Sequence, residues 1–467
     1  VSFNRVHLWA LLGVALLIRL LSLGAYPLMD TTEARYGEMA RLMIETNNWI
    51  TPQFDYGVPF WGKPPLFTWL SAGGIELFGI NEFAVRAPHW LAGVIVIALM
   101  AYFANRQGFS GLITALVLAT CGIFSIAAGA VMTDMALTLG LSIAMIGFYL
   151  CWQGSKPWGY FGFVGLAIGL LAKGPLVIVL MGLAVVPWLV IQHGLLGAFK
   201  VLWQRFPVLG GSLLMLIIAL PWYFAAEAAT PGFLDYFIVG EHFNRFLVSG
   251  WQGDLYGTAH DEPRGTIWLF WLYSAAPWSI VLPIVFWLKR KKLGQDIILK
   301  DGIFSFLVCW MLAPMLLFTF SGNILPAYVL PGVPAIGLLM AILLSDVRED
   351  KKWFKVTAGI LPCLLIAAVI YIQLGVGDRK SDKVIFRNAD PQVVTYYVGN
   401  RPFSGQFYSH GQAKQLKDSS VLNRLDKVQL IGEKGQVEQL VKEKKMSCAI
   451  DFVAESKRAL YRCDRNS

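Results

Sequence analysis

Asp30 and Glu33 lie three residues apart in Met29-Asp30-Thr31-Thr32-Glu33-Ala34-Arg35-Tyr36, and further on Lys63 stands in Pro59-Phe60-Trp61-Gly62-Lys63-Pro64-Pro65. Carboxylates at that spacing share a helix face, where they can take a proton or oppose a developing positive charge. Lys63 is flanked by two prolines that stiffen the backbone, and a lysine ammonium is a compact partner for a phosphate. Each residue also has an ordinary reading. An acid three residues after Asp or Thr at a helix start is a capping box, and a lysine at an apolar helix end can snorkel to lipid headgroups.

Further candidates recur along the chain. Gly240-Glu241-His242-Phe243-Asn244-Arg245-Phe246 supplies His242 and Arg245, and Asp254, His260, Asp261 and Arg264 follow it. Leu325-Pro326-Ala327-Tyr328-Val329-Leu330-Pro331 adds the Tyr328 hydroxyl. A lone histidine is more often a packed or surface residue than a ligand. Asp134 and Lys173 interrupt hydrophobic runs, which costs about 2.5 to 3.5 kcal/mol per charge at a helix centre and less near its ends. The ordinary reading of that pair is a marker of the membrane boundary. There is no CxxC pair, P-loop or GxGxxG after a strand, so nothing points to cysteine metal sites or nucleotide binding.

The elements that must position these residues are membrane helices. With 56% hydrophobic and 15% charged residues and a mean hydropathy of +0.57, the chain is too apolar for a soluble globule of 467 residues. About eleven spans are expected near 6–26, 88–104, 111–129, 134–152, 158–172, 174–192, 206–226, 266–288, 303–320, 327–345 and 353–374. Residues 5–25 are read as a retained span rather than a cleaved signal peptide. Lys and Arg collect in cytoplasmic loops, which puts the N-terminus inside with Arg106, Lys156, Lys200 and the run Lys289-Arg290-Lys291-Lys292. Loops 27–87 and 227–265, the turn Ser321-Gly322-Asn323 and the tail after 374 then face outside. That topology gathers the acids, the cations, the histidines and Tyr328 on one side of the membrane.

The chain divides into a membrane domain, 1–374, and an outside domain, 375–467. The tail holds 17 Lys and Arg against 11 Asp and Glu, hence six of the chain's nine net positive charges. It reads as a solvated surface or one resting on anionic headgroups or sugars. Its short apolar runs alternate with helical patterns, which predicts a small α/β domain. Cys448 and Cys463 both fall there, where an oxidising compartment allows a disulfide. Cys121, Cys151, Cys309 and Cys363 lie in expected spans as small buried hydrophobes.

The motifs Glu33-Ala34-Arg35-Tyr36, Trp49-Ile50-Thr51-Pro52, Gly57-Val58-Pro59, Lys63-Pro64-Pro65, Phe83-Ala84-Val85-Arg86, Lys173-Gly174-Pro175, Pro221-Trp222-Tyr223, His242 to Arg245 and Leu325 to Pro331 occur in an order that resembles one bacterial family. It is that of the lipid A aminoarabinose transferase and its protein O-mannosyltransferase-like relatives, and the resemblance covers roughly residues 5–345. It implies an all-α polytopic membrane domain of the GT-C glycosyltransferase type, in the bacterial inner membrane with a periplasmic active site. It also implies a polyprenyl-phosphate-linked sugar donor, inversion at the anomeric carbon, and lipid A or another lipopolysaccharide component as acceptor. No nucleic acid partner is implied, and membrane lipids are partners by location.

By the same resemblance Lys63, Arg245 and Tyr328 hold the carrier phosphate, and Asp30 or Glu33 together with Asp134 are the catalytic acids. Arg35, Tyr36, Lys173, His242 and His260 contact substrate. Two departures qualify the carry-over. Thr32-Glu33 stands where many relatives have Asp-Glu, which leaves open which acid takes the catalytic role. Gly62 stands where the aminoarabinose transferases have a Glu, so no metal site is carried over to His242. Alternatives are a transporter, a non-catalytic binder of lipid-linked sugars, and protein O-glycosylation. A transporter is expected to show internal repeats and polar groups at the midplane, and the sequence shows neither.

Overall fold

The computed structural model describes residues 3–248, 251–257, 262–290, 302–345 and 352–465. Seven described helices are long and apolar enough to cross a membrane: α1 (Phe3–Ser22), α4 (Glu82–Arg106), α7 (Thr133–Trp152), α9 (Leu176–Arg205), α10 (Val208–Ala229), and the segments Pro326–Leu343 and Lys352–Gln373. Helices Thr266–Ser274 and Trp278–Lys289 form an eighth apolar unit bent by 93°. The expectation of eleven spans departs from this where apolar runs are broken or short. Run 111–129 is split into α5 (Gly111–Ala119) and α6 (Gly122–Ala127). At the break the Thr120 hydroxyl bonds back to Leu116 O and accepts from Trp278 Nε1. Helix Ile303–Phe318 has only 16 residues.

Helices α7 and α8 (Lys156–Lys173) pack backbone to backbone. A Cβ at Gly140 would sit 2.7 Å from Gly165 O, and one at Gly165 would sit 2.5 Å from Gly140 O. Only glycine permits this approach, as small residues do generally at membrane helix interfaces. Its consequence is chemical, because it brings Asp134 in the first turn of α7 beside Lys173 in the last turn of α8. Each charge occupies the helix end whose dipole favours it.

The segment between α1 and α4 is ordered throughout. The amphipathic pattern from Thr31 to Glu45 is helix α2 (Thr32–Thr46), which buries Ala34, Met39, Ala40, Leu42 and Met43. A short hairpin follows, β1 (Gln53–Asp55) and β2 (Val58–Pro59), and then the apolar helix α3 (Leu66–Phe78). At 1.5 Å per residue α3 is about 20 Å long, too short to cross the hydrocarbon core.

The tail builds a five-stranded sheet in the order β4-β3-β5-β7-β6. Its strands are β3 (Thr395–Tyr397), β4 (Lys414–Gln415), β5 (Lys427–Glu433), β6 (Met446–Val453) and β7 (Arg458–Arg465). β3 runs parallel to β4 and β5, and β7 pairs antiparallel with β5 and β6. Cys448 and Cys463 face each other across β6 and β7 and are joined as a disulfide. The tail is clamped onto the first loop by polar contacts. Arg401 binds Asp55 with both carboxylate oxygens at 2.8 and 2.9 Å. The Tyr408 hydroxyl donates to Glu82 at 2.8 Å and accepts from Leu28 N at 2.7 Å, and Lys383 pairs with Glu82.

Candidate active site

A cavity of about 370 Å3 opens where α2, the Lys63 loop, the ends of α7 and α8, the segment after α10 and the tail meet. Helix α2 contributes Thr32, Arg35 and Tyr36; α7 and α8 contribute Asp134 and Lys173; and the turn Pro326–Gly332 contributes Tyr328. The π-helical segment Asp235–Asn244 and the turn after it contribute Glu241 and Arg245. Asp254, Tyr256 and Phe403 complete the wall used below. An adjoining hollow of about 90 Å3 shares Lys63, Lys173, Glu241, Arg245 and Tyr328 and adds His242.

The charges are arranged in linked pairs. Lys173 Nζ lies 2.6 Å from Asp134 Oδ1, and both side chains are buried. The same Nζ sits 4.4 Å from the centre of the Tyr328 ring, a cation held against an aromatic face. Lys63 Nζ donates to Gly62 O at 2.6 Å and to Glu241 Oε2 at 2.7 Å. Arg245 Nη1 reaches Glu241 Oε2 at 3.1 Å and Asp254 Oδ2 at 3.2 Å. Burial alone would raise the Glu241 carboxyl, but Lys63 and Arg245 hold it down at about 2.

Arg35 differs from these cations. Its Nη1 donates to the Tyr256 carbonyl and its guanidinium lies 5.0 Å from the centre of the Tyr36 ring. Its buried Nε has no hydrogen-bond partner, and no carboxylate among the described residues pairs with it. The wall therefore carries four cations, Arg35, Lys63, Lys173 and Arg245, against three carboxylates, Asp134, Glu241 and Asp254. All three carboxylates are already ion-paired.

Eight of the residues singled out in the sequence thus share one cavity: Arg35, Tyr36, Lys63, Asp134, Lys173, Arg245, Asp254 and Tyr328. Asp30 and Glu33 do not line it, which corrects their expected place. The Asp30 carboxylate turns to the tail and accepts from Ser404 N at 2.9 Å and from the Ser404 hydroxyl. Burial there pushes its carboxyl up. Glu33 forms a two-point pair with Arg86 at 2.8 and 2.6 Å. Arg86 is fully buried and also donates to the carbonyls of Leu23, Tyr26 and Pro27. Glu33 therefore ties the start of the loop to α4. On the cavity side of the same helix turn stands Thr32.

His242 lines only the smaller hollow. Its Nδ1 and Nε2 face the carbonyls of Phe237 at 2.8 Å and Lys173 at 3.3 Å, and burial pushes its pKa down. His260 lies outside the described residues. Among the described residues no group of three or more His, Cys, Asp or Glu is placed to hold a metal. Sequence reasoning named Asp254 among its candidates without giving it a role, and did not single out Glu241, Tyr256 or Phe403. Glu241 had a signal, since it sits four residues before Arg245, the spacing of an ion pair on a helix.

Comparison with known proteins bears on the fold and the relatives of the chain. Residues 9–237 match the family model described as dolichyl-phosphate-mannose-protein mannosyltransferase. The undecaprenyl phosphate-alpha-4-amino-4-deoxy-L-arabinose arabinosyl transferase of Aeromonas hydrophila is 30% identical over 78% of this chain and 65% of its own length. A second enzyme of that name, from Erwinia tasmaniensis, is 31% identical over 67% of this chain and 55% of its own. The chain thus spans a little under two thirds of the length of the curated relatives it matches. The crystal structure of ArnT from Cupriavidus metallidurans bound to undecaprenyl phosphate superposes with a TM-score of 0.75, at 18% identity, over 99% of this chain and 98% of that one. The chain thus carries a segment that matches the mannosyltransferase family model, resembles the aminoarabinose transferases in sequence, and shares the fold of ArnT.

Proposed function

We propose that the chain is a glycosyltransferase that moves a sugar from a polyprenyl phosphate to an acceptor at the periplasmic face of the bacterial inner membrane. The observation that carries this reading is the convergence of Lys63, Arg245 and Tyr328 with the Asp134–Lys173 pair on one cavity. Lys63 and Arg245, linked through Glu241, suit a phosphate leaving group. Asp134 in the same cavity suits the positive charge that builds on the sugar ring as its bond to phosphate breaks.

In the proposed step an acceptor oxygen attacks the anomeric carbon from the face opposite the phosphate. The carbon–oxygen bond to phosphate breaks, its electron pair stays on the phosphate oxygen, and the sugar configuration inverts. Lys63 and Arg245 hold that oxygen's negative charge, with the Tyr328 hydroxyl as a further donor. Arg35 and Tyr36 offer a cation and an aromatic face to sugar or acceptor, and Lys173 holds Asp134 in place through their ion pair. Asp30, Glu33 and His242 support the architecture of the site.

The acceptor class follows from the ion pairing. Every carboxylate on the described wall is engaged by a cation, so none stands free as a general base for a neutral hydroxyl. An acceptor that arrives already ionised, such as a phosphate on lipid A or another lipopolysaccharide component, needs no such base. The unpaired Arg35 suits the same charge. The topology proposed with this has eleven crossings. The α5–α6 pair, α8 and helix Ile303–Phe318 join the eight longer units, the N-terminus is cytoplasmic, and 375–467 forms a periplasmic α/β domain on the membrane domain 1–374.

The test is transfer of a labelled sugar from synthetic polyprenyl phosphate to lipid A in proteoliposomes. Lys63→Ala is expected to lower kcat/KM at least a hundredfold, with the donor bound correspondingly more weakly. Undiminished transfer by Lys63→Ala would overturn the proposed phosphate site. Transfer to a hydroxyl-only acceptor as fast as to lipid A would overturn the acceptor class.

A further inference from the structure

The two cations assigned to the carrier phosphate are not bare: the buried Glu241 carboxylate bridges them. It takes 2.7 Å from Lys63 Nζ and 3.1 Å from Arg245 Nη1, and its second oxygen accepts from the Tyr236 hydroxyl at 3.2 Å. Glu241 reaches this position from the segment Asp235–Asn244, across 178 residues of sequence from Lys63. Two of the three Lys63 N–H bonds are committed, one to Glu241 and one to Gly62 O.

A carboxylate and a phosphate offer a pair of oxygens of similar reach and the same charge sign, and both bind Lys and Arg by charge-assisted hydrogen bonds. We propose that Glu241 is a built-in rival of the carrier phosphate, one that holds Lys63 and Arg245 aimed into the empty cavity and weakens their grip on the phosphate once the sugar has left. This rests on the phosphate site proposed above. The chemistry gives the rivalry a purpose. A sugar-carrying phosphodiester bears one negative charge, whereas the released monoester bears about 1.5 to 2 near neutral pH. Without a competing anion the product would bind these cations more tightly than the donor and occupy the site. With Glu241 in place the extra charge meets a fixed carboxylate, which favours departure. Glu241 is thus a positioning residue that acts through Lys63 and Arg245.

The test uses the full-length protein in detergent with undecaprenyl monophosphate as probe, in wild type, Glu241→Gln, Glu241→Ala and Lys63→Ala. Lys63-dependent binding by the wild type establishes the underlying phosphate site, and its absence would sink that site and not only the role of Glu241. Given that site, Glu241→Gln and Glu241→Ala are expected to bind the monophosphate at least tenfold more tightly than wild type. They are also expected to unfold at lower temperature when empty, because two cations lose their shared counter-charge, and to gain more from the ligand than wild type does. In turnover kcat falls while KM for donor also falls, the pattern of slowed product release. A residue with a merely structural role would give weaker binding and a raised KM. Binding by Glu241→Gln that is unchanged or weaker overturns the proposal. So does failure of both Glu241 variants to accumulate as folded protein, since the proposed role lowers stability on removal but is not required for folding.

Discussion

The Asp134–Lys173 pair offers the sharpest separation of architecture from chemistry. The two side chains are 5% and 9% exposed and meet at 2.6 Å, so neither charge is screened by water in the way surface pairs are. Removing one partner of a buried pair strands the other and costs about 3 to 5 kcal/mol, a large share of the roughly 5 to 15 kcal/mol that separates folded from unfolded protein. Replacing both by neutral groups of similar size removes the stranded charge and is often close to neutral. Asp134→Asn and Lys173→Met should each lower the unfolding temperature sharply, and the double variant should recover most of the loss. The coupling between the sites should be about 3 kcal/mol or more, well beyond the few tenths expected of independent sites. Sugar transfer should behave oppositely, falling with Asp134→Asn and staying low in the stable double variant. Thermal unfolding in detergent and transfer in proteoliposomes, measured on the same four proteins, read the two outcomes separately. Full transfer by the double variant would refute the assignment of Asp134 to the reaction and leave the pair as scaffolding alone.

Two further outcomes are expected. Ser404→Ala removes the hydroxyl donor from the half-buried Asp30 carboxylate and keeps only the backbone donor. It should cost about 1 to 3 kcal/mol and speed protease cleavage between Gln373 and Lys383, whereas an unchanged cleavage rate would show that this contact does not fasten the tail. The Glu241 carboxyl is held at about 2 in the folded protein against an ordinary value of 4.5. Its contribution to stability is therefore complete above about pH 4.5 and is lost as pH falls toward 2. At 1.36 kcal/mol per unit it amounts to about 3 kcal/mol, and the acid unfolding curve of Glu241→Gln should be flatter than that of wild type across this window by that amount.

What the sequence disclosed and what it withheld follow from the range of the interactions. Hydropathy located α4, α7, α9 and α10 because a membrane helix announces itself within its own residues. It ran α5 and α6 together because their break depends on Thr120 meeting Trp278, 158 residues away. Helix α3 was passed over because its 13 residues fall below a span. Asp134 and Lys173 stood out because a charge that interrupts an apolar run is itself the signal, whereas Lys63, Arg245 and Tyr328 are weak alone and took their expected role only from the order of motifs that carries the resemblance. Asp30 and Glu33 were misplaced for the converse reason. Their spacing suggested one shared role, but Ser404 lies 374 residues from Asp30 and Arg86 lies 53 from Glu33, and local spacing carries no trace of either.

Those two relocated acids also change how the active site must work. With Asp30 spent on the tail and Glu33 on Arg86, and with Thr32 facing the cavity at the start of α2, the first loop lines the cavity with hydroxyls and two cations, Arg35 and Lys63, and no carboxylate. The negative charge of the site comes from the membrane helices and the segment after α10, where Asp134, Glu241 and Asp254 each arrive with a cation. Apart from Arg35, which no described carboxylate pairs with, the cations of such a site bind ions by exchanging partners. A phosphate held by Lys63 and Arg245 must displace or share an existing pair, which lowers its affinity and quickens its exit. Under the proposed function, the donor diester and the released monoester differ by about 0.5 to 1 unit of phosphate charge, and such exchange keeps tight binding of the donor from also meaning tight binding of the product.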